Sequence, residues 1–447
     1  MEITGSQLII NSLIEEGVDK IFAYPGGYDK DIFDALYHEK DIELILPRHE
    51  QGLIHAAEGY ARSTGKVGVC LVTSGPGATN LVTGIADANY DGIPLVCFTG
   101  QVATSVIGND AFQEVDIVGI TRTICKYSTT IRKREDLGRV IKEAFYIART
   151  GKPGPVVVDL PSNIVSEFGP SEYPKSVDIR GYKPSTGVHI GQIKKALEML
   201  KGAKKPLFLI GGGVNISRAN EELEKLVDIT NVPVITTIMG KGAIPTSHPL
   251  FIGNVGMHGS YAANRAVNEC DVLFSIGTRF NDRVTGKISE FAPNAKIIHI
   301  DIDSASISRN IVVNIPIVAD AKNAIKELIP LAEKLNTKQW VDEIKTWDKK
   351  HPVTAPSSVE GFISPQSIFE NLNKVFTDGI FVTDVGQHQM WTTQFLEMNK
   401  NKQLITSGGL GTMGFGLPAA IGAQLGNPDK RVVCIAGDGG VQMTIQE

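Results

Sequence analysis

Near one end of the 447-residue chain, an apolar run from Val432 to Ala436 breaks at Gly437-Asp438-Gly439-Gly440. An aspartate at the carboxyl end of a strand can hold a hard cation such as Mg²⁺, which in turn bridges phosphate oxygens. The flanking glycines, Gly439 among them, let backbone N–H groups approach the same phosphates. The same residues also suit a plain turn, since glycine permits unusual dihedrals and Asp caps turns. One carboxylate is too few ligands for a metal, so Asp438 needs partners elsewhere.

Two further places carry candidate chemistry. In "ILPRHEQGLIHAAEGYAR", Glu50 follows a strand and opens a helix dense in Ala and Gly. It is either a first-turn acid favoured by the helix dipole or a general acid–base held among small residues. The strand "FLI" runs into Gly211, Gly212 and Gly213, a candidate phosphate loop that lacks the full GxGxxG pattern. Downstream, "SIGTRFNDRVTG" places Arg279 and Arg283 close together, and "IIHIDID" ends a strand on Asp301. Arginines match pyrophosphate, and an acid after a strand suits ribose hydroxyls. Singly these are solvated loop charges; together they point to a dinucleotide in the middle of the chain.

These residues need a scaffold that presents strand ends. Short β-branched runs at 67–73, 94–99, 155–160, 206–210, 232–236, 271–276, 296–301, 380–384 and 431–436 alternate with helical patterns at 4–16, 50–63, 135–149, 189–201, 217–229 and 321–334. Near-continuous apolar strands with helical crossovers predict α/β, doubly wound parallel-sheet domains with ligands beyond the strands' carboxyl ends. Pro-, Ser- and charge-rich stretches predict linkers at 166–188 and 335–360. They divide the chain into 1–165, 189–334 and 361–447. Residues 71–100 also echo 404–437, which suggests one fold used twice.

Composition narrows the class. Hydrophobic residues make up 42%, the formal charge is −5, and mean hydropathy is near zero. This fits a soluble globular protein with no nucleic-acid or membrane partner. Five scattered cysteines without a CxxC pair support neither a zinc site nor a disulfide framework, and a cytoplasmic location is expected. Cys70, Cys97 and Cys434 sit in apolar runs and read as core residues.

The runs "FAYPGG", "PRHEQGLIHAAEGYAR", "TSGPGATN", "GNDAFQEVDIVGITR", "TRFNDRVTG", "GQHQMW" and "SGGLGTMGFGLPAAIGA" occur in that order. With them the chain resembles the catalytic (large) subunits of acetolactate synthase, or acetohydroxyacid synthase, in the thiamine-diphosphate enzyme superfamily. The resemblance implies a pyrimidine-binding, a central FAD-binding and a diphosphate-binding domain, and the cofactors thiamine diphosphate, Mg²⁺ and FAD. It puts Glu50 on the aminopyrimidine nitrogen, Gln387 and His388 at the diphosphate, Gly411 and Met413 at the pyrimidine, and Asp438 on the metal. It puts Gly211–Gly213, Met257, His258, Arg279, Arg283 and Asp301 on FAD. Phe112, Gln113 and Lys126 would line the substrate channel, and Trp391 would favour 2-oxobutanoate as second substrate.

The implied reaction joins pyruvate, with loss of CO₂, to a second pyruvate or to 2-oxobutanoate, in branched-chain amino-acid biosynthesis. The partners implied are small 2-oxo acids, a second copy in a homodimer or homotetramer, and a regulatory small subunit. Several positions depart from the family pattern: Gly440 for serine, Asn281 for aspartate, and Thr123 and Tyr127 in "TRTICKYS". The family's second magnesium ligand lies beyond Glu447, so the third domain reads as truncated and the chain as written as inactive. The alternatives are an FAD-free catabolic acetolactate synthase, a pyruvate-oxidase-like enzyme, or a non-catalytic FAD-bound scaffold.

Overall fold

The computed structural model describes residues 2–355 and 361–447. The Pro-Ser-Ser end of the second expected linker lies outside the described residues. The chain forms two compact units, one of Met1–Pro184, Ile380–Val385 and Ile405–Glu447, the other of Ser185–Gly379 and Gly386–Leu404.

The first unit contains β1 (Glu2–Thr4), β2 (Lys20–Tyr24), β3 (Glu43–Ile45), β4 (Gly68–Val72), β5 (Leu95–Gln101), β6 (Tyr127–Thr130), β7 (Pro155–Pro161) and β8 (Phe168–Pro170). Six of these make a parallel sheet in the order β3-β2-β4-β5-β7-β6. Strands β4, β5 and β7 are buried along their whole length, which explains their largely apolar runs, and the polar Thr99 and Gln101 of β5 both donate to Asp159 of β7. The segment expected as the first linker is partly structured. Its β8 pairs antiparallel with β1, and Arg134 pins the ribbon by donating to Ile3 O, Thr4 O and Glu167 O. Tyr173 and Tyr182 of the same segment pack on the first unit's core.

The second unit contains β9 (Pro206–Ile210), β10 (Val234–Thr236), β11 (Phe251–Asn254), β12 (Val272–Ile276), β13 (Lys296–Asp301) and β14 (Ile315–Val318). They form a parallel sheet in the order β11-β10-β9-β12-β13-β14. The chain winds outward from β9 to β11, then restarts on the other side of β9, which is the winding of dinucleotide-binding sheets. The helix Lys338–Lys350 occupies the start of the second expected linker and buries Trp340, Val341 and Ile344.

A third sheet consists of β15 (Gly379–Thr383), β16 (Lys402–Thr406) and β17 (Val432–Ile435), in the order β16-β15-β17. Its order repeats the β3-β2-β4 order of the first sheet, as one fold used twice would, although the echo in the sequence is out of step with that correspondence. Strands β4 and β5 are neighbours, whereas β16 and β17 lie on opposite sides of β15. Cys434 is exposed on the edge strand β17, not a core residue as expected; Cys70 and Cys97 are fully buried.

One helix contact in the first unit is unusually close. A Cβ added at Gly59 would lie 2.0 Å from Ala419 O, and one added at Gly422 would lie 1.8 Å from Ala56 O. The helices Glu50–Thr64 and Gly416–Gly426 thus touch backbone to backbone, which only glycine permits.

Candidate functional site

In the first unit the winding reverses between β2 and β4, and a crevice beyond their carboxyl ends is the expected ligand position. Three loops meet there. Gly26, after β2, packs on Thr73, after β4. His49 caps the helix Glu50–Thr64 by accepting from Gln51 N at 3.1 Å, and Glu50 begins its first turn. The half-buried Glu50 carboxylate accepts a hydrogen bond from Asn80 Nδ2 at 2.9 Å, and a Cβ on Gly77 would lie 3.5 Å from its other oxygen. Glu50 is therefore oriented by an amide and bordered by a residue with no side chain. Asn80 was not singled out in the sequence, where "GATN" reads as a turn.

Two further groups of residues belong to the same unit. Phe112 is exposed, and its carbonyl accepts from Tyr28 Oη at 3.1 Å. Gln113 has φ +60°, and Gly75 is so near that a Cβ there would lie 2.7 Å from Gln113 O. Met413 is also exposed, and its Cε lies 3.8 Å from the Cβ position of Gly439, so Met413 and the Asp438-Gly439 turn are neighbours. Asp438 begins the short helix Asp438–Met443, is exposed, and accepts only from its neighbour Gly439 N among the described residues, leaving oxygens for a cation. The preceding loop is fixed from below by the fully buried Asp384, which accepts from Gly414 N and Gly416 N at 2.9–3.1 Å.

Lys126 is not brought to this crevice. It precedes the first residue of β6, and its N–H bonds Pro155 O at the start of β7. That is the amino-terminal rim of the sheet, a strand's length from Gly75 and Gln113 at the carboxyl rim. Its ammonium donates to Thr150 O at 2.7 Å and Tyr182 Oη at 3.0 Å, capping the carbonyl end of the helix Leu137–Arg149.

In the second unit the residues expected on a dinucleotide come together. Gly211 follows β9 and Gly277 follows β12, the two strands flanking the reversal. Gly213 N donates to Gly277 O at 3.1 Å, and a Cβ on Gly211 would lie 2.1 Å from the same oxygen. Gly211 and Gly213 thus pack backbone to backbone on Gly277, and a Cβ on Gly212 would lie 2.9 Å from Met239 Cβ. Met257 N donates to Arg283 O at 2.9 Å, which joins the Met257-His258 loop to the arginine loop. Asn281, the departure from the family pattern, caps the helix Asp282–Thr285 by accepting from Val284 N at 3.2 Å. Arg279 is half-buried and Arg283 exposed. Asp301 ends β13, is nearly buried, and accepts from Asp303 N at 2.9 Å. Burial and the nearby Arg283 charge lower the pKa of His258. Gln387, His388 and Trp391 lie in this unit too, on the helix Gln387–Phe395, whose Gln394 donates to His258 O.

Sequence reasoning missed a buried polar cluster in the first unit. The Arg62 guanidinium, 5% exposed, bonds Glu58 at 3.0 Å, Asp87 at 3.3 Å and Asp91 at 3.0 Å. His55 Nδ1 lies 3.0 Å from Glu58. Burial pushes the Glu58 carboxyl up to about 7, raises Asp87 as well, and holds His55 down at about 4. Ligand atoms of His55, Glu58 and Asp87 lie within 4.8 Å of one another, but Arg62 already supplies their positive charge. A signal was present: Asp87 and Asp91 are like charges at i,i+4 on one helix, which costs stability unless a cation lies between them.

Comparison with known proteins follows the same lines. Models described as thiamine pyrophosphate enzyme match in three parts: the N-terminal TPP binding domain over residues 3–120, the central domain over 193–328 and the C-terminal TPP binding domain over 384–447. The acetolactate synthase large subunit of Buchnera aphidicola subsp. Schizaphis graminum is 49% identical across 100% of this chain and 80% of its own length. The isozyme 3 large subunit of Escherichia coli strain K12 is 46% identical across 100% and 79%. A probable acetolactate synthase large subunit of Methanococcus aeolicus is 48% identical across 99% and 77%. The chain is thus a thiamine-pyrophosphate-type enzyme by architecture, and it belongs to the acetolactate synthase large-subunit family.

Proposed function

We propose that this chain catalyses acetolactate synthesis: pyruvate loses CO₂, and the two-carbon unit joins a second pyruvate or 2-oxobutanoate. The observation that carries the reading is Glu50, set at the reversal of a parallel sheet and held by Asn80 beside Gly77. Thiamine diphosphate, when bound, supplies the electron sink for decarboxylation and carbon–carbon bond formation. Glu50 holds and moves the proton at the pyrimidine nitrogen, and Asn80 fixes which carboxylate oxygen faces it. Gly411 and Met413 would support the pyrimidine, Gln387 and His388 would bind the diphosphate, and Asp438 with Gly439 would hold the Mg²⁺. In the second unit Gly211–Gly213, Met257, His258, Arg279, Arg283 and Asp301 hold FAD, which has no redox step to perform in this reaction.

Phe112, Gln113 and Trp391 are assigned to the path and pocket of the 2-oxo acids, and Lys126 to a support at the opposite rim. The division into 1–165, 189–334 and 361–447, a homodimer or homotetramer, a smaller regulatory subunit and a cytoplasmic location complete the reading. Among the described residues no helix is long and apolar enough to cross a membrane.

The test is Glu50→Gln. General acid–base help contributes about 10²–10⁴-fold, so acetolactate formation should fall by that order while thiamine diphosphate and flavin stay bound. Proton exchange at the reactive cofactor carbon, followed by deuterium loss, should slow in parallel. Unchanged exchange would remove Glu50 from the role.

A further inference from the structure

The segment that carries Gly411 and Met413 is held by side chains to which neither motif nor resemblance assigned a role. Ser407 is fully buried, and its Oγ accepts from Gly411 N at 3.1 Å and Thr412 N at 2.9 Å. A hydroxyl has one proton and two lone pairs, and it accepts two N–H groups well only when its own proton points away. Asp87 takes that proton: Ser407 Oγ donates to Asp87 Oδ1 at 2.5 Å. Thr412 Oγ1 reaches the same oxygen at 3.4 Å. The residues on either side are tied to the same cluster. Arg62 donates to Thr406 O at 3.1 Å, and Gly408 N donates to Asp91 Oδ2 at 3.0 Å. Gly411 has φ +75°, a conformation that favours glycine, and its amide is one of the two that Ser407 holds. The helix Val82–Asp91 thus supports the segment at both ends, and the Ser407 hydroxyl carries the link to Gly411.

We propose that Asp87, acting through the Ser407 hydroxyl, is a positioning residue that fixes Ser407–Met413 and so presets the contact this segment offers to the thiamine diphosphate pyrimidine. The proposal rests on the reading of Gly411 and Met413 as pyrimidine contacts. It assigns Ser407 and Asp87 to cofactor affinity, not to proton transfer. Loss of a buried hydrogen bond of this kind corresponds to about tenfold or more in an equilibrium constant.

The test uses Ser407→Ala, which removes one oxygen, with Ser407→Thr as the conservative rescue and Asp87→Asn to keep an acceptor without the charge. Two quantities are read on the holoprotein and on protein stripped of cofactor. The first is amide hydrogen exchange at Gly411 and Thr412 without cofactor. The second is the Kd for thiamine diphosphate with Mg²⁺, by calorimetry. Ser407→Ala should speed exchange and weaken binding by about tenfold or more, with kcat at saturating cofactor changing far less. Ser407→Thr and Asp87→Asn should recover most of both. Unchanged exchange in Ser407→Ala overturns the positioning role. Faster exchange with unchanged affinity overturns the link to cofactor. Met413→Ala then tells which reading failed: if it weakens binding, the segment contacts the cofactor and only the proposal falls; if it does not, the assignment of the segment falls as well.

Discussion

The two six-stranded sheets solve one geometric problem with different residues. Both are parallel, and both reverse their winding beside the first strand of the sheet, β2 in one and β9 in the other. At the first reversal stand a carboxylate and the amide that orients it, Glu50 and Asn80. At the second stand three glycines, with arginines on the next loops. On the proposed reading, one crevice moves a proton and the other holds an anion through its arginines. A shared architecture therefore says where a ligand sits, and only the side chains say whether anything happens to it.

The groups that burial shifts also differ between the units, although the first also buries Arg62 and His55. The first unit buries carboxylates: burial lifts Asp29 and Glu58 to about 7 and Asp159 to about 6. The second buries Lys241, which burial lowers to about 7 and whose ammonium donates to Thr393 O at 2.8 Å. Asp29 and Lys241 should accordingly respond to pH in opposite directions.

Substitutions can separate the two crevices. The largest contrast is between Glu50→Gln and Gly213→Val. The first should cost about 10²–10⁴ in turnover with flavin retained. The second drives a side chain into Gly277, whose Cα lies 2.7 Å from the Cβ position, and should empty the flavin site, read as lost absorbance after gel filtration. Equal flavin content in both variants would refute the division of labour. Next comes Gly422→Val, which tests the backbone contact under the first crevice. Overpacking a close contact costs about 1–3 kcal/mol or more, so the melting temperature should drop by several degrees. An unchanged melting temperature would show that the helices can separate freely.

Trp391→Leu follows. A methylene in an apolar pocket is worth about 1–3 kcal/mol, so under competing 2-oxo acids the preference for 2-oxobutanoate should fall roughly tenfold. A constant product ratio would take Trp391 out of the specificity pocket.

The smallest expected effects are in pH dependence. With Asp29 raised from 3.8 to about 7, the folded state binds more protons than the unfolded one across that window. Stability should fall as pH rises from about 4 to about 7, and Asp29→Asn should flatten the fall. With Lys241 lowered from 10.5 to about 7, the unfolded state binds more protons between those values. Stability should rise over that range, and Lys241→Met should flatten the rise. Melting curves across pH on the two variants check both signs. Slopes that persist in the variants would assign them to other groups.

The buried central strands were the most legible part of the fold, because β4, β5, β7, β9 and β12 are apolar on both faces. Edge and near-edge strands were harder to read. β3 has three residues, and β6 is "YSTT", whose polar side chains give no run to detect. At the sites, motifs pointed to Glu50, the glycine loops and the arginines, since those residues sit at strand ends that sequence can locate. Asn80 and Ser407 were not legible, for each acts through a residue distant in sequence, Glu50 in one case and Asp87 in the other. Lys126 shows the converse case. A motif match cannot tell which rim of a sheet a residue occupies, and Lys126 occupies the amino-terminal one.

The contact between Gly59 and Ala419, with its counterpart between Gly422 and Ala56, bears on how this chain can change length. An α-helix turns by about 100° per residue. One residue inserted between Glu50 and Gly59 would swing either the glutamate off the crevice or the glycine off its neighbour. A side chain would then stand where only hydrogen fits. The helix Glu50–Thr64 is buried without a break from Gly52 to Ala61, and its length is closed to insertion and deletion. Variation in length should instead collect in connections such as the segment after Pro184, where no such contact keeps register.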